Sequence, residues 1–479
     1  MIQHSTLHIG GQWVSPQAGG FIDVVNPATE QVIGRVPEAT AADVDAAVAA
    51  ARTAFDTGAW PGLPVDARIA AVQRIVAALE PRTEELVDVL VREIGSPVGG
   101  KGGMQVRMVP TLVDTLIGAA RAFPWEEERK GPFGTSVVRQ LPIGVVGAIV
   151  SWNGPLFLTM QKLVPALIAG CTVVLKPSPE APLTVQALAE CIAEAGLPPG
   201  TVNVLHGGTK AGAALSAHPG VDLVSFTGGA AAGRAIGRAC GEQIKPCVLE
   251  LGGKSAAVLL DDGDLDRLVP AVLGATFGNN GQQCYALSRV LAPRSRYAET
   301  VEAVGSAVSA LRVGDPLDPE TEIGPLISVA QRDRVLAMVE RAVAEGARVV
   351  TGGGRPPGLP VGYYVRPTVL ADVDHRAEIA QEEVFGPVVT VIPYDGEEHA
   401  ITLANDSRYG LSGAVFGEDA RRAAGTARRI RTGMVTVNGA TTNWAAPFGG
   451  LKDSGLGREY GPEGLRMFLE PQSLHLTGN

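Results

Sequence analysis

The chain of 479 residues is too long for one hydrophobic core, because single cores stop growing at about 250–300 residues, so two or three domains are expected. Its 46% hydrophobic and 19% charged residues, with 60 glycines, are typical of a globular α/β enzyme and exclude a disordered or fibrous protein. The formal charge of −10, without a long basic run, excludes a nucleic-acid surface, which requires concentrated Lys and Arg.

The first half of the chain begins with helices and then alternates between strands and helices. Residues 40–58 predict an amphipathic helix capped by Thr40 with an acidic first turn, and further helices are expected around 66–80 and 83–94. From residue 143 the expected strands are 143–150, 171–176, 201–207 and 221–229, and the expected helices are 155–170 and 184–196. This alternation predicts a parallel sheet covered by helices, which binds ligands at the carboxyl ends of its strands.

A second α/β set begins near Ser255 and runs to about residue 450. It contains a strand at 255–260, a helix at 327–346 and a strand at 347–353. The segments 133–142 and 470–478 look like strands outside both sets. We expect them to form an arm that pairs with another subunit.

Residues 140–161 carry no charge and are long enough to span a bilayer. The stretch nevertheless contains Pro142 and the sequence Asn153-Gly154-Pro155, which would break a helix inside hydrocarbon. A buried strand that leads through a turn into a helix is therefore predicted, and no membrane span.

The cysteines favour a reducing compartment. There are five, they are widely spaced, and none forms a C-x-x-C pair, so neither a disulfide framework nor a metal site is expected. The first residues lack a positive patch followed by an apolar core, which argues against a signal peptide. We expect a cytoplasmic protein.

Two sequences at predicted strand ends suit a phosphate-bearing ligand. In FTGGAAAGR (226–234), Gly228 and Gly233 flank a strand-to-helix turn, where a pyrophosphate can approach backbone amides at a helix N-terminus. An ordinary glycine turn explains this pattern equally well. In LKPSPEAPLT (175–184), Lys176 ends a strand and is either a solvated loop charge or a ligand of a ribose or phosphate.

Three further residues suit acid–base or nucleophilic chemistry. Glu250 lies inside an apolar strand and precedes a double glycine, so it is either structurally paired or a general base with a raised pKa. Asn153 is either an oxyanion donor or a satisfied turn asparagine. Cys284, in GNNGQQCYALSR (278–289), is either core filler or a nucleophile without a histidine nearby.

These residues occur in this order along the chain, each at a predicted strand-end position. With them the chain resembles the aldehyde dehydrogenase superfamily, specifically its NAD(P)-dependent, hydrolytic, non-acylating members. The resemblance covers almost the whole length. It rests on LELGGKS (249–255) with GQQC (281–284) thirty-four residues after Glu250, and on EEVFGPV (382–388) and PFGGLKDSGLGRE (447–459).

The resemblance implies an α/β fold with two Rossmann-like parallel-sheet domains, one cofactor-binding and one catalytic, and a small β oligomerisation arm. The NAD(P)-binding domain would comprise residues 1–122 and 143–252, and the catalytic domain residues 253–452. The oligomerisation arm and the C-terminal segment would comprise 123–142 and 453–479. A homodimer or homotetramer is expected.

The resemblance also implies how Cys284 could act as a nucleophile without a histidine nearby. An aldehyde yields hydride only after a nucleophile has added to its carbonyl, and the Cys284 thiolate would form a hemithioacetal and then a hydrolysable thioester. Glu250 would activate the thiol or the attacking water. The Cys284 amide and the Asn153 side chain would bind the oxyanion, and Lys162 would assist proton movement.

The same resemblance assigns residues to the cofactor and to the substrate. Lys176 would bind the adenosine ribose, and Glu383 the nicotinamide ribose with Phe385 against the ring. The further cofactor residues would be Trp152, Ser178, Glu180, Gly207, Phe226, Thr227, Gly228, Gly229, Gly233, Leu251 and Gly252. The tunnel for an uncharged aliphatic or aromatic aldehyde would be lined by Gly154, Leu158, Gln161, Gln283, Tyr285, Trp444 and Phe448.

Two departures from the family pattern concern the cofactor. Gly229 stands where the family often has serine, which removes one hydroxyl contact to a pyrophosphate. Pro179 stands where NAD-dependent members carry a glutamate for the adenosine 2′-hydroxyl, and Glu180 is next to it. NAD is favoured because no arginine stands there for a 2′-phosphate, and NADP remains the alternative.

Two other activities would use the same nucleophile. A coenzyme A-acylating dehydrogenase would share Cys284, but water activation by Glu250 would compete with its thiol acceptor. A cysteine-dependent esterase needs no nicotinamide cofactor, so Lys176, Glu383 and Phe385 would have no function in it. Aldehyde oxidation to the acid uses all of these residues.

Overall fold

The computed structural model describes residues 1–476. These residues form α-helices and β-strands that alternate along much of the chain. The α-helices are α1 (Ala41–Asp56), α2 (Val65–Leu79), α3 (Thr83–Ile94), α4 (Lys101–Arg107), α5 (Val109–Arg121), α6 (Pro155–Ala169), α7 (Leu183–Glu194), α8 (Thr209–Ala217), α9 (Ala230–Glu242), α10 (Leu265–Val272), α11 (Tyr297–Ser309), α12 (Val329–Ala344), α13 (Glu378–Gln381), α14 (Glu397–Asn405), α15 (Ala420–Ala427) and α16 (Gly461–Arg466).

The strands lie between these helices and form five sheets. They are β1 (Ile2–Gln3), β2 (Leu7–Ile9), β3 (Gln12–Val14), β4 (Phe21–Asn26), β5 (Gln31–Pro37), β6 (Glu126–Gly131), β7 (Gly134–Pro142), β8 (Val145–Ile149), β9 (Thr172–Lys176), β10 (Val202–Val204), β11 (Leu223–Thr227), β12 (Cys247–Glu250), β13 (Ala256–Leu259), β14 (Arg289–Pro293), β15 (Arg348–Thr351), β16 (Thr368–Ala371), β17 (Val388–Tyr394), β18 (Tyr409–Gly410), β19 (Ser412–Phe416), β20 (Met434–Val437), β21 (Leu451–Lys452), β22 (Gly455–Leu456) and β23 (Leu469–Leu476).

The first large sheet has eight strands in the order β22-β12-β11-β8-β9-β10-β2-β3. Strands β12, β11, β8, β9 and β10 are parallel, and the outer strands pair antiparallel to them. The register places Thr227, at the end of β11, directly beside Glu250, at the end of β12. The carboxyl ends of the central strands therefore form one edge, as the alternating pattern predicts.

The second large sheet has seven strands in the order β15-β16-β17-β14-β13-β19-β20, all parallel except β15. Only residues 251–255 join β12 of the first sheet to β13 of the second. The chain therefore leaves the carboxyl edge of the first sheet and enters the second sheet at the amino end of a strand. The predicted fold class, two parallel-sheet units in an α/β chain, is confirmed.

A separate three-stranded sheet, β23-β7-β6, contains both strands that the sequence placed outside the two sets. Strand β7 pairs antiparallel with β23 and β6. Strand β6 is exposed along its whole length, β23 is exposed beyond Leu469, and Phe133 is fully exposed at the turn between β6 and β7. Residues 477 and 478 of the predicted strand lie outside the described residues, and the role of this sheet as an oligomerisation arm stays a prediction.

Most predicted helices and strands agree with the structure within a few residues. In α1 the Thr40 backbone N–H and hydroxyl both donate to the Asp43 carboxylate, at 2.8 and 2.7 Å, so the expected cap is confirmed. The uncharged stretch folds as β8, a turn and α6, and no helix among residues 1–476 is long and apolar enough to cross a membrane. The proposed domain boundaries at 122, 142, 252 and 452 stay predictions.

Candidate active site

A cavity of about 880 Å³ lies where the carboxyl edge of the first sheet meets the amino ends of strands in the second. Of the predicted catalytic residues, Cys284, Glu250 and Asn153 line it. Every residue predicted for the substrate tunnel also lines it, namely Gly154, Leu158, Gln161, Gln283, Tyr285, Trp444 and Phe448. Of the predicted cofactor residues, its wall includes Trp152, Thr227, Gly228, Gly229, Leu251, Gly252, Glu383 and Phe385.

The expectation that each site residue stands at the end of a strand is wrong for the second sheet. Asn153 follows β8 and Glu250 ends β12, as expected, but Cys284, Glu383 and Phe385 precede β14 and β17. The physical reason is the direct crossing at 251–255, which turns the amino ends of the second sheet toward the cavity. The cavity is therefore bordered by carboxyl ends of strands in one sheet and amino ends of strands in the other.

The double glycine of LGGKS explains how three segments come together below the cavity. A Cβ atom on Gly252 would lie 2.2 Å from the Glu383 carboxylate, and a Cβ on Gly253 would lie 2.6 Å from the Cys284 carbonyl oxygen. Real Cβ atoms do not approach backbone atoms this closely, so only glycine fits at 253, whereas a side chain at 252 would displace the Glu383 carboxylate. The Gly253 amide donates to Glu383 Oε1 at 3.1 Å and fixes that carboxylate.

The loop before Cys284 is held by its own amide side chains. Asn279 and Asn280 both have left-handed backbone conformations, with φ of 52° and 59°, which asparagine tolerates better than most residues. Buried Asn280 donates through Nδ2 to the carbonyls of Gly95 and Pro325, both at 2.8 Å, and accepts from the Gly324 amide at 2.7 Å. These bonds anchor the nucleophile loop to two other segments of the chain.

The substitution Asn280→Ala should therefore lower both stability and turnover. It removes three hydrogen bonds and leaves buried backbone groups unpaired, so we expect the free energy of unfolding to fall by about 3 kcal/mol. Turnover per folded molecule should fall because Cys284 is no longer fixed. Chemical denaturation and steady-state kinetics measure the two effects.

Asn203→Ala is the matched control. Asn203 is also buried and makes three hydrogen bonds, but it lies in β10, at the other side of the first sheet. It should lose comparable stability with little change in turnover per folded molecule. Equal losses of turnover in both variants would contradict a positioning role for Asn280.

The thiol of Cys284 and the carboxyl of Glu250 both line the cavity, and burial raises the pKa of each. Burial raises the pKa of the Cys284 thiol well above its usual range, and the carboxylates around it, Glu250 foremost, raise it further. Burial likewise raises the pKa of Glu250, which is only 3% exposed, and neighbouring Glu459 adds to the effect. Neither oxygen of Glu250 has a hydrogen-bond partner among the described residues, so its carboxyl group is free to exchange a proton.

Lys162, the fourth predicted catalytic residue, lies behind the cavity wall. It is 1% exposed, and its Nζ lies 2.5 Å from Oε1 of Glu459, which does line the cavity. Gln161 donates to the other oxygen of Glu459 and accepts from the Tyr460 hydroxyl at 2.7 Å. The predicted lysine thus stands behind a carboxylate that the sequence analysis missed, although Glu459 ends the quoted motif PFGGLKDSGLGRE.

The amide of Asn153 is partly engaged. Its Oδ1 accepts from the Ser151 hydroxyl at 2.6 Å, and its Nδ2 donates to the Gln282 carbonyl at 3.1 Å. An amide nitrogen carries two hydrogens, so one remains for an oxygen in the cavity. The Ser151 contact fixes which side of the amide faces the cavity.

One part of the cavity fits a dinucleotide. Gly229 caps helix α9 with open space around it, and the buried Thr227 hydroxyl has no partner among the described residues. The first amides of a helix lack intrahelical acceptors and favour an anion. Glu383 lines the same cavity beside Gly252, and Trp152 meets Phe385 edge to face with ring centroids 5.2 Å apart.

The remaining predicted cofactor residues lie outside the cavity wall. Lys176, at the end of β9, donates to the carbonyls of Pro177 and Gly207 at 2.8 and 2.6 Å, and burial lowers its pKa to about 8. Ser178 donates to exposed Glu180 beside it. These residues form a separate group on the same edge of the first sheet.

Phe226 and Gly233 have packing positions instead of positions on the wall. The Phe226 ring lies directly beneath Gly228, and Gly233 packs against the Leu251 side chain. Both residues therefore shape the turn into α9 from behind. Their assignment to the cofactor stays a prediction.

The other part of the cavity is apolar. Its wall includes Phe157 and Trp444, with ring centroids 5.2 Å apart, together with Leu158, Met104 and Met108. Met104 belongs to α4 and Met108 directly follows it; the sequence analysis did not predict this helix because KGGMQVR contains two glycines and is short. Lys101 and Gln105 of the same helix also reach the cavity.

The site thus joins a thiol, a carboxyl group and a helix N-terminus in one cavity of an α/β fold, an arrangement found in oxidoreductases. The chain matches the aldehyde dehydrogenase family over residues 13–474 and belongs to that family, whose enzymes act on the aldehyde group. It is 45% identical to geranial dehydrogenase of Castellaniella defragrans, over 100% of both chains.

Solved structures agree with this assignment. An aldehyde dehydrogenase of Mycobacterium tuberculosis, complexed with NAD+, is 48% identical with a TM-score of 0.96, over 99% of this chain and 98% of that one. A mutant of aldehyde dehydrogenase C from Pseudomonas syringae, complexed with NAD+ and octanal, is 40% identical with a TM-score of 0.95, again over 99% and 98%.

Proposed function

We propose that this protein oxidises an aldehyde to a carboxylic acid with NAD, through a hemithioacetal and a thioester on Cys284 that water activated by Glu250 hydrolyses. The observation that carries the proposal is that Cys284 and Glu250, from different sheets, face one cavity with the pKa of each raised by burial. The NAD+ complexes of the two solved relatives support the choice of cofactor.

The first step forms a bond between the Cys284 sulfur and the carbonyl carbon. Glu250, once ionised, accepts the thiol proton, because no histidine is among the residues that line the cavity. The carbonyl oxygen then gains negative charge, and the free Nδ2 hydrogen of Asn153 and the Cys284 backbone amide stabilise it. One such donor lowers the barrier by about 3 kcal/mol in comparable sites.

Bound NAD would supply the acceptor for the hydride that leaves the hemithioacetal carbon, which converts the adduct into a thioester. The amino end of α9 and Thr227 would hold its pyrophosphate, and Glu383 its nicotinamide ribose. Lys176 and Gly207 would hold the adenosine ribose.

The last step is hydrolysis of the thioester. Glu250 takes a proton from water, the water oxygen bonds to the acyl carbon, and the carbon–sulfur bond breaks to release the acid and restore the thiolate. The Lys162–Glu459 pair, next to Glu250, provides a route by which the proton leaves the buried carboxyl group.

Absorbance of reduced nicotinamide tests this function, with purified protein, a panel of aldehydes, and NAD or NADP in parallel. We expect NADH and an equal amount of the free acid without coenzyme A. Acid formation that requires coenzyme A would replace the proposal with acyl transfer. Ester hydrolysis without any aldehyde oxidation would replace the proposal with a cysteine-dependent esterase activity.

Glu180 should select NAD over NADP. Its carboxylate, beside Ser178 and near the adenosine-ribose group, would repel a 2′-phosphate. Glu180→Gln should therefore raise kcat/KM with NADP by roughly tenfold relative to NAD. Glu194→Gln removes the same charge at an exposed position at the end of α7 and should leave the ratio unchanged. An unchanged ratio in both variants would show that Glu180 does not face the 2′ position.

We also infer a homodimer or homotetramer that uses the three-stranded sheet as its arm. The support is the exposure of Phe133, Leu474 and Leu476, since large apolar groups on one small sheet favour contact with a partner.

The five cysteines are free thiols, which supports a reducing cytoplasm.

A further inference from the structure

Lys101 brings a positive charge to the apolar part of the cavity. It begins α4, which also contains Met104 and ends next to Met108, and all three residues line the wall. A Cβ on Gly278 would lie 3.4 Å from Lys101 Cγ and 3.5 Å from Cε, so the stem of the lysine runs along the nucleophile loop. The same Cβ would lie 3.0 Å from Gln283 Nε2, so Lys101 stands beside a residue predicted for the substrate tunnel.

This charge has no partner within residues 1–476, whereas the other cations on the wall do. Arg234 pairs with Asp453, Arg408 pairs with Glu382, and Arg334 donates to the backbone carbonyls of residues 383 and 384. Lys101 is half-buried, and burial lowers its pKa with no neighbouring acid to offset the effect. A partly desolvated cation without a counter-charge attracts an anion from the cavity.

We propose that Lys101 binds a carboxylate at the far end of the substrate, so that the enzyme prefers apolar ω-oxo carboxylates to neutral aldehydes of equal length. The proposal rests on the proposed function, because the aldehyde end must lie at Cys284. Met104, Met108, Phe157 and Trp444 would cover the chain between the two ends. The sequence favoured an uncharged aldehyde because it offered no arginine for a carboxylate, and α4 was not among its predicted elements.

The charge also selects against cations. An aldehyde with a trimethylammonium group would place like charges in the same apolar space, which is unfavourable. The predicted order of kcat/KM at equal length is therefore the ω-oxo carboxylate first, the n-alkanal second and the cationic aldehyde last.

The test compares kcat/KM for a series of straight-chain ω-oxo carboxylates with that for n-alkanals of the same length. In Lys101→Met the ratio of the two should fall roughly 10- to 100-fold, mainly through KM of the charged substrate, as for loss of a charged hydrogen bond. Lys101→Arg should retain most of the ratio. Lys130→Met, which removes an exposed lysine of β6, should keep the wild-type ratio.

A binding experiment separates this inference from the proposed function. Titration calorimetry should show that dicarboxylates, the products of ω-oxo carboxylates, bind the wild type more tightly than monocarboxylates and that Lys101→Met removes the difference. If alkanals are oxidised but the kcat/KM ratio of ω-oxo carboxylate to alkanal is the same in wild type and Lys101→Met, the role of Lys101 is overturned and the proposed function stands. Absence of any aldehyde oxidation, with dicarboxylate binding that depends on Lys101, would overturn the reaction and leave the anion site.

Discussion

Cys284→Ala should reduce aldehyde oxidation by about 10⁵-fold or more and leave NAD binding intact. Without the thiol no hemithioacetal forms, and the remaining groups of the site have no adduct from which hydride can leave. Steady-state kinetics with any accepted aldehyde measures the loss. Titration of the intrinsic fluorescence with NAD measures binding, since Trp152 lines the proposed cofactor cleft.

Cys191→Ala is the control for this prediction. Cys191 is buried in α7 and does not line the cavity, so its loss should lower stability slightly and preserve activity. If Cys284→Ala lost both activity and NAD binding while remaining folded, the thiol would be part of the cofactor cleft instead of the nucleophile. Activity close to that of the wild type would remove Cys284 from the mechanism.

Glu250→Gln should slow turnover by roughly 10²- to 10⁴-fold, the usual contribution of a general base. The amide has nearly the same shape but cannot accept a proton, so thiol activation and thioester hydrolysis both suffer. Glu242→Gln, at an exposed position in α9, is the matched control and should behave like the wild type. Unchanged turnover in Glu250→Gln would exclude it as the base.

The pH profile provides a second measure of the same prediction. Because the pKa values of Glu250 and Cys284 are both raised, both groups are neutral at low pH and ionise as the pH rises. The wild-type kcat/KM should therefore increase with pH through the raised pKa of Glu250. In Glu250→Gln this increase of kcat/KM with pH should be lost, and only the increase due to ionisation of the Cys284 thiol should remain.

Local patterns were enough to predict the first sheet and its edge. Strands β9, β11 and β12 are apolar runs that end in Lys176, Thr227 and Glu250, and Asn153 follows β8 by four residues. The second sheet was predicted as an α/β set, but the direction in which it meets the cavity was not. That direction depends on the short crossing at 251–255, whose effect appears only when both sheets are in place.

The residues that sequence reasoning missed reach the site through distant contacts or weak elements. Glu459 meets Gln161 across 298 residues of chain, and nothing near either residue signals that pairing. Lys101 stands in a short, glycine-containing helix that carries no apolar periodicity. Its importance depends on the absence of a counter-charge among the described residues, which is a property of the folded cavity and not of the sequence.

The most direct test of the central claim is mass spectrometry of Glu250→Gln after brief exposure to an aldehyde and NAD. Trypsin releases residues 268–289 as one peptide, in which Cys284 is the sole cysteine. We predict that this peptide gains the mass of the acyl group, because the variant forms the thioester slowly but hydrolyses it more slowly still. If NADH forms and this peptide remains unmodified, the thioester on Cys284 and its hydrolysis by Glu250 are contradicted.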